Sequence, residues 1–176
     1  MDFLDEFTCK AQQSFGGVDV HLYENASPAV KSAKEVLLVA VNTLTQQNLE
    51  DYCKFHRSWI KNRRERASKS GSDAFSYIFL YDLRGSDTKS FADSMQLLKQ
   101  KVELHRSLTD EYTTDLLCSA LIMNSAHVRN LTNAVFKFMY TPCRPVRVVA
   151  SKSDFEEFSQ EVHDGKQLEP FTETCA

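Results

Sequence analysis

Between residues 35 and 150 the chain alternates four short apolar runs with longer stretches of helical periodicity, an alternation that few folds satisfy. The runs are 35–41 (Glu-Val-Leu-Leu-Val-Ala-Val), 75–83 (Phe-Ser-Tyr-Ile-Phe-Leu-Tyr-Asp-Leu), 116–123 (Leu-Leu-Cys-Ser-Ala-Leu-Ile-Met) and 146–150 (Val-Arg-Val-Val-Ala). Continuous apolar runs of this length mark strands buried on both faces, as in a parallel sheet. Residues 18–24 instead alternate Val18, Val20 and Leu22 with Asp19, His21 and Tyr23, which predicts a half-buried strand at an antiparallel edge.

The intervening stretches read as helices long enough for right-handed crossovers. Thr43 and Gln46 have capping-box spacing, and Leu49, Tyr52, His56, Trp59 and Ile60 then share one face up to about Arg66. A loop over 68–72 follows. Ser86 or Asp87 caps a second helix with Phe91, Met95, Leu98, Val102 and His105 in steps of four and three. Asn124-Ser125 precedes a third, with Val128, Leu131, Val135 and Phe138, which stops before Pro142. Ser153 to Glu156 has the form of another capping box, opening a last helix with Phe155, Phe158 and Val162. The expected fold is therefore α/β, a single mostly parallel sheet with an antiparallel edge strand, covered by about four helices. Its expected bounds are an N-terminal arm over 1–17, the domain over 18–164 and a tail over 165–176.

A length of 176 residues suits one such domain. The net charge of −3 argues against a chain that coats nucleic acid, so no nucleic-acid partner is expected. The basic run 61–66 (Lys-Asn-Arg-Arg-Glu-Arg) reads as a solvated helix end. Five cysteines without paired spacing point to a reducing compartment rather than a disulfide framework. The acidic N-terminus has no secretory pattern and no apolar run reaches the length of a membrane span, so the expected location is cytoplasmic.

Within this pattern, Tyr81-Asp82-Leu83-Arg84-Gly85 closes the central run, and two later stretches fall in matching places. They are 120–125 (Ala-Leu-Ile-Met-Asn-Ser) and 140–146 (Tyr-Thr-Pro-Cys-Arg-Pro-Val). Over residues 18–163 the order of elements and the Asp-terminated central strand resemble the fold shared by STAS (anti-sigma-factor-antagonist) domains and CRAL-TRIO domains. A STAS-like chain implies a non-catalytic regulatory domain that binds a protein partner or self-associates. In STAS regulators a serine in an Asp-Ser-Ser-Gly-like segment after the central strand is phosphorylated. The matching stretch here is Ser86-Asp87-Thr88-Lys89-Ser90, which keeps hydroxyls at Ser86, Thr88 and Ser90 but lacks the glycine. A CRAL-TRIO-like chain implies a carrier of a lipid or another small ligand, although the gate element that encloses lipid in that family has no counterpart in this sequence.

In open α/β sheets ligands gather at the carboxyl ends of the strands. That rule collects Asp82, Arg84, Gly85, Ser86, Asn124, Ser125, Ser151 and Lys152 at one rim, as an anion or partner site against the plainer reading of caps and turns. Strand alternation puts Asp82 with Leu80 and Tyr81 with Leu83, and Gly85 is expected to let the chain swing into the next helix. Cys53-x-x-His56 offers two metal ligands one turn apart, but a structural zinc site needs four, so no metal and no cofactor are expected. A hydrolase or transferase using Cys118 or Cys143 as nucleophile, with His127 in the helix after Cys118 as base, is the third reading, although Cys118 lies in an apolar run where buried cysteine is inert. Arg129, Asn130, Asn133, Tyr140 and Arg144 have the composition of a protein interface.

Overall fold

The computed structural model describes residues 7–24, 35–43, 45–70, 75–85, 115–123, 130, 132, 134, 144–165 and 171–173. Seven strands form one sheet in which spatial order follows chain order. They are β1 (Thr8–Ser14), β2 (Val18–Glu24), β3 (Glu35–Val41), β4 (Tyr77–Asp82), β5 (Leu116–Ile122), β6 (Val146–Val149) and β7 (Phe171–Glu173). β1, β2 and β3 pair antiparallel, and every later pairing from β3 to β7 is parallel. The chain is thus α/β with a mixed, mostly parallel sheet.

The four apolar runs are the four inner parallel strands. Residues 8–14, read as part of an arm, instead form the edge strand, so the antiparallel edge holds two strands rather than one. Phe171–Glu173, in the stretch read as a tail, adds β7 beside β6.

Among the described residues two helices cover the sheet, α1 (Gln46–Ser70) and α2 (Lys152–His163), where about four were expected. The second expected helix lies outside the described residues. Of the third only Asn130, Thr132 and Ala134 are described, all three helical. No helix among the described residues is long and apolar enough to cross a membrane. α1 runs on through Ser70, so residues 68–70 are its last turn and not a loop.

Strand alternation sorts the core into two layers. Leu37, Val39, Tyr77, Phe79 and Tyr81 face α1, whose Leu49, Tyr52, Cys53, Trp59 and Ile60 are buried against them. Val36, Ile78, Leu80, Cys118, Ala120, Ile122 and Val149 face the other way, where Phe155 and Phe158 of α2 close the layer. A β-bulge between Tyr77 and Ile78 opposite Leu116–Cys118 adjusts β5, so that Leu117 and Cys118 both pack in the α2 layer.

The α1 layer is dominated by rings. Phe75, Tyr77, Phe79 and Tyr81 stack along one side of the chain through β4 with centroids 5.4, 5.3 and 5.1 Å apart. His56, fully buried, sits over them, its centroid 4.5 Å from Phe79 and 5.9 Å from both Tyr52 and Trp59. Such pairs add about 0.5–1.5 kcal/mol each beyond the area they bury.

Two substitutions test this layering. Phe79→Ala should cost about 3–5 kcal/mol, read from urea unfolding, because several rings lose their neighbour at once. Leu80→Asp, on the opposite layer, should abolish cooperative unfolding, since an unpaired charge there has no partner. A Leu80→Asp protein with an unchanged melting temperature would remove β4 from the centre of the sheet.

Candidate functional site

The carboxyl ends of β4, β5 and β6 form one edge, with Asp82, Ile122 and Val149 in a common row. Leu83 continues that row by donating its N–H to the Ile122 carbonyl at 3.0 Å. Arg84-Gly85 and Ser151-Lys152 therefore share the edge two strands apart, about 10 Å in the plane of the sheet. Ser86, Thr88, Ser90, Asn124 and Ser125 lie outside the described residues, as do Arg129, Asn133 and Tyr140. Asn130 is exposed and Arg144 half-buried ahead of β6.

The polar groups described at this edge satisfy one another. Arg84 returns a two-pronged fork to the residue that ends β4, with Nε 2.9 Å from Asp82 Oδ1 and NH2 2.6 Å from Asp82 Oδ2. The Arg84 N–H also donates to Asp82 Oδ1 at 3.0 Å. Burial alone would raise the Asp82 carboxyl, but these hydrogen bonds and the guanidinium charge outweigh it and hold the group below its ordinary value.

The helix into which Gly85 was expected to swing the chain lies outside the described residues, and the structure shows a close approach at this glycine. Its φ is not positive, and a Cβ there would lie 2.3 Å from Asn42 Oδ1. The glycine leaves room for the Asn42 amide, which donates through Nδ2 to Asp19 Oδ2 at 3.3 Å. Positive φ is needed instead at Gly17, φ 116°, in the β1–β2 hairpin. Its carbonyl accepts from the N–H groups of both Asn42 and Thr43, at 2.8 and 3.1 Å. Asp19, Asn42 and Gly17 are thus rim residues that the sequence pattern did not place there.

Both helix caps sit at this end of the sheet, each displaced from the pair that the spacing indicated. At α1 the reciprocal cap is Thr45 with Asn48, where Asn48 N–H donates to Thr45 Oγ1 at 3.2 Å and Thr45 N–H to Asn48 Oδ1 at 2.8 Å. Asn48 is buried and its amide also donates to the carbonyls of Thr43 and Gly16, at 2.9 and 3.3 Å. At α2 the cap is Ser151 with Asp154 rather than Ser153 with Glu156. Asp154 Oδ2 accepts from the N–H groups of Ala150 and Ser151 at 3.1 and 3.0 Å. The anion favoured at this helix start is thus the chain's own carboxylate. Lys152 leans toward Glu156, 3.9 Å away.

The remaining candidates are structural. Cys118 is fully buried, and burial pushes its thiol up to about 12 against a smaller opposing effect of Arg147. It is a packed thiol, not a nucleophile. Arg147 itself pairs with Glu161 at 2.7 Å and lies over the Phe158 ring, 4.6 Å from its centroid. Cys53 and His56 face the ring layer, and among the described residues no three His, Cys, Asp or Glu side chains gather as metal ligands.

The basic run is not a solvated helix end. Arg63 reaches Glu35 at the start of β3, 2.7 Å away and half-buried, and Arg64 pairs with Asp115 just ahead of β5. These are contacts between residues 28 and 51 positions apart in the chain, which charge patterning along one helix does not reveal. Glu35 stands directly across β2–β3 from Glu24, which itself holds Lys10 at 2.7 Å. Burial raises the Glu35 carboxyl and Glu24 adds to the effect, whereas Arg63 and Arg66 oppose it, and the net shift is upward.

In comparisons with known proteins, no family model, no curated protein and no solved structure matches this chain.

Changing Arg63, Arg64 and Arg66 together to Gln should destabilise the fold by roughly 2–4 kcal/mol, as half-buried carboxylates lose their partners. Chemical denaturation measures it, and a loss under about 1 kcal/mol would return the run to the status of solvated surface. The two shifted carboxylates should respond to acid in opposite senses. Asp82, lowered in the fold, contributes stability above its unfolded value that is lost as pH falls through the folded value. Glu35, raised in the fold, contributes stability below its unfolded value that is lost as pH rises through the folded one. Melting curves from about pH 7 to about pH 2 should show a shallower acid loss in Asp82→Asn and a steeper one in Glu35→Gln.

Proposed function

We propose that this chain is a non-catalytic, STAS-like interaction domain that works by binding a protein partner or a second copy of itself. The observation that carries this reading is the self-sufficiency of the described carboxyl edge. Arg84 is folded back on Asp82, and the start of α2 is filled by Asp154. An edge whose charges are already matched offers no activated group to a substrate.

The order of elements supports the STAS-like part of the proposal. Four parallel strands, β3 to β6, are laid down side by side in chain order after an antiparallel pair, and β4 ends in Asp82 as the resemblance implies. The tight ring packing between α1 and β4 weighs against the carrier reading for that layer, because those side chains fill one another's space.

Native mass spectrometry of the purified chain separates the readings. The expected spectrum contains the chain mass and its multiples, with no retained small molecule. A retained apolar ligand that leaves on unfolding would overturn the interaction reading in favour of a carrier.

A further inference from the structure

β1 differs from β2, β3, β4, β5 and β6 in being exposed at all seven residues, on both faces of the sheet. It is also the terminal strand among the described residues, so one side of its main chain has no described strand beside it. The ladder with β2 determines which groups point outward. Phe15 N–H donates to the Val18 carbonyl at 2.8 Å across the hairpin. Bonded pairs then alternate as Phe15–Val18, Gln13–Val20 and Ala11–Leu22, and the main-chain N–H and C=O of Gln12 and Ser14 face away from β2.

Edge strands are commonly guarded by a bulge or by a lysine directed outward. Here a bulge and a lysine both occur, at the end of the strand far from the hairpin, and the lysine is not directed outward. The register shift lies between Cys9 and Ala11, and Lys10 is turned inward across the hairpin onto Glu24. The regular segment 11–14 (Ala-Gln-Gln-Ser) carries no charge and no proline.

We propose that two copies of this chain associate through the outer edge of β1, antiparallel about a two-fold axis at Gln13. In that register Gln12 and Ser14 of one copy oppose Ser14 and Gln12 of the other, so four outward groups on each edge meet four complementary ones. The two Gln13 amides meet at the axis, where side-chain amides both donate and accept. Lys10 falls opposite Gly16, which keeps the two lysines about 20 Å apart, well beyond the screening length of about 8 Å. A second copy is therefore the occupant whose sequence and charge match the edge without adjustment. The inference rests on the interaction reading above and names its partner.

Sedimentation velocity from micromolar to millimolar concentration, with reductant present, is the test. The wild-type chain should pass reversibly from monomer to dimer. Gln12→Pro removes an outward N–H and none of the bonds to β2, so it should abolish the dimer and leave the melting temperature of the dilute monomer unchanged. Gln13→Glu sets two carboxylates at the axis and should weaken the dimer roughly fivefold at low salt, with recovery as salt is added. As a positive mark, Gln13→Cys in a Cys9→Ser chain should form a disulfide-linked dimer on mild oxidation. A wild-type chain that stays monomeric throughout, or a dimer indifferent to both Gln12→Pro and Gln13→Glu, overturns the β1 contact. A dimer of the second kind would leave the interaction reading standing, whereas a monomer that retains a small molecule in native mass spectrometry would end both.

Discussion

The seam between α1 and β4 holds the rest of the structure in register. His56 lies at its centre, with Tyr52 and Trp59 one turn away on either side and Phe79 beneath. Rings are large and stiff, so a helix seated on four in a row cannot slide by a residue without losing several contacts at once. The ends of the same helix are tied by polar contacts. At the start, Asn48 bonds to the carbonyls of Gly16 and Thr43, joining α1 to the β1–β2 hairpin and to the end of β3. Near the other end, Arg63 and Arg64 hold the entrances to β3 and β5. Apolar packing supplies the energy, and these ties select one placement of the helix along the sheet.

That division explains what could be read from the chain. The inner strands were legible because each is apolar on both faces, and the α1 face was legible because Leu49, Tyr52, His56, Trp59 and Ile60 keep helical spacing. All five are buried. β1 was not legible: Thr-Cys-Lys-Ala-Gln-Gln-Ser is exposed throughout, so it has no apolar face and no alternation to betray it. The caps were found to within two residues and no better. Several hydroxyl and acidic side chains stand near each helix start, and only tertiary position decides which of them turns inward. Asn48 is such a case, because its amide is fixed in part by the Gly16 carbonyl, 32 residues away in the chain.

The rim was legible as a place but not as a state. Asp82 and Arg84 follow the central strand as the pattern indicated, and they do lie at the carboxyl edge with Ser151 and Lys152. Spacing of two residues permits an open pair or a closed fork, and nothing local chooses between them. In the fold the fork is closed, and Asp82, with 18% of its side chain exposed, gains more from a bidentate cation than it loses by burial. Glu35 shows the reverse balance. It too has an arginine at 2.7 Å, but it is more deeply placed, faces Glu24 across the ladder, and leaves Oε2 buried without a hydrogen-bond partner among the described residues. Burial is the largest influence on both and acts upward; at Asp82 the hydrogen bonds and charge of Arg84 outweigh it, whereas at Glu35 the charges of Arg63 and Arg66 do not.

The same accounting separates the ends of the sheet from its side. Along the described carboxyl edge the donors and acceptors are largely consumed by caps, by the Asp82–Arg84 fork and by the Asn42–Asp19 contact. Along the outer side of the exposed strand β1 the main-chain groups of Gln12 and Ser14 point away from β2, with no described strand beside them. Water satisfies them in the separate chain, so a partner strand gains only the net value of each exchanged bond, about 0.5–1.5 kcal/mol. A contact made of so few bonds is weak and reversible, and it strengthens only where two edges are held together by other means. On the proposed association, the ring-packed layer between α1 and β4 lies away from the contact, four strands in from the outer edge of β1.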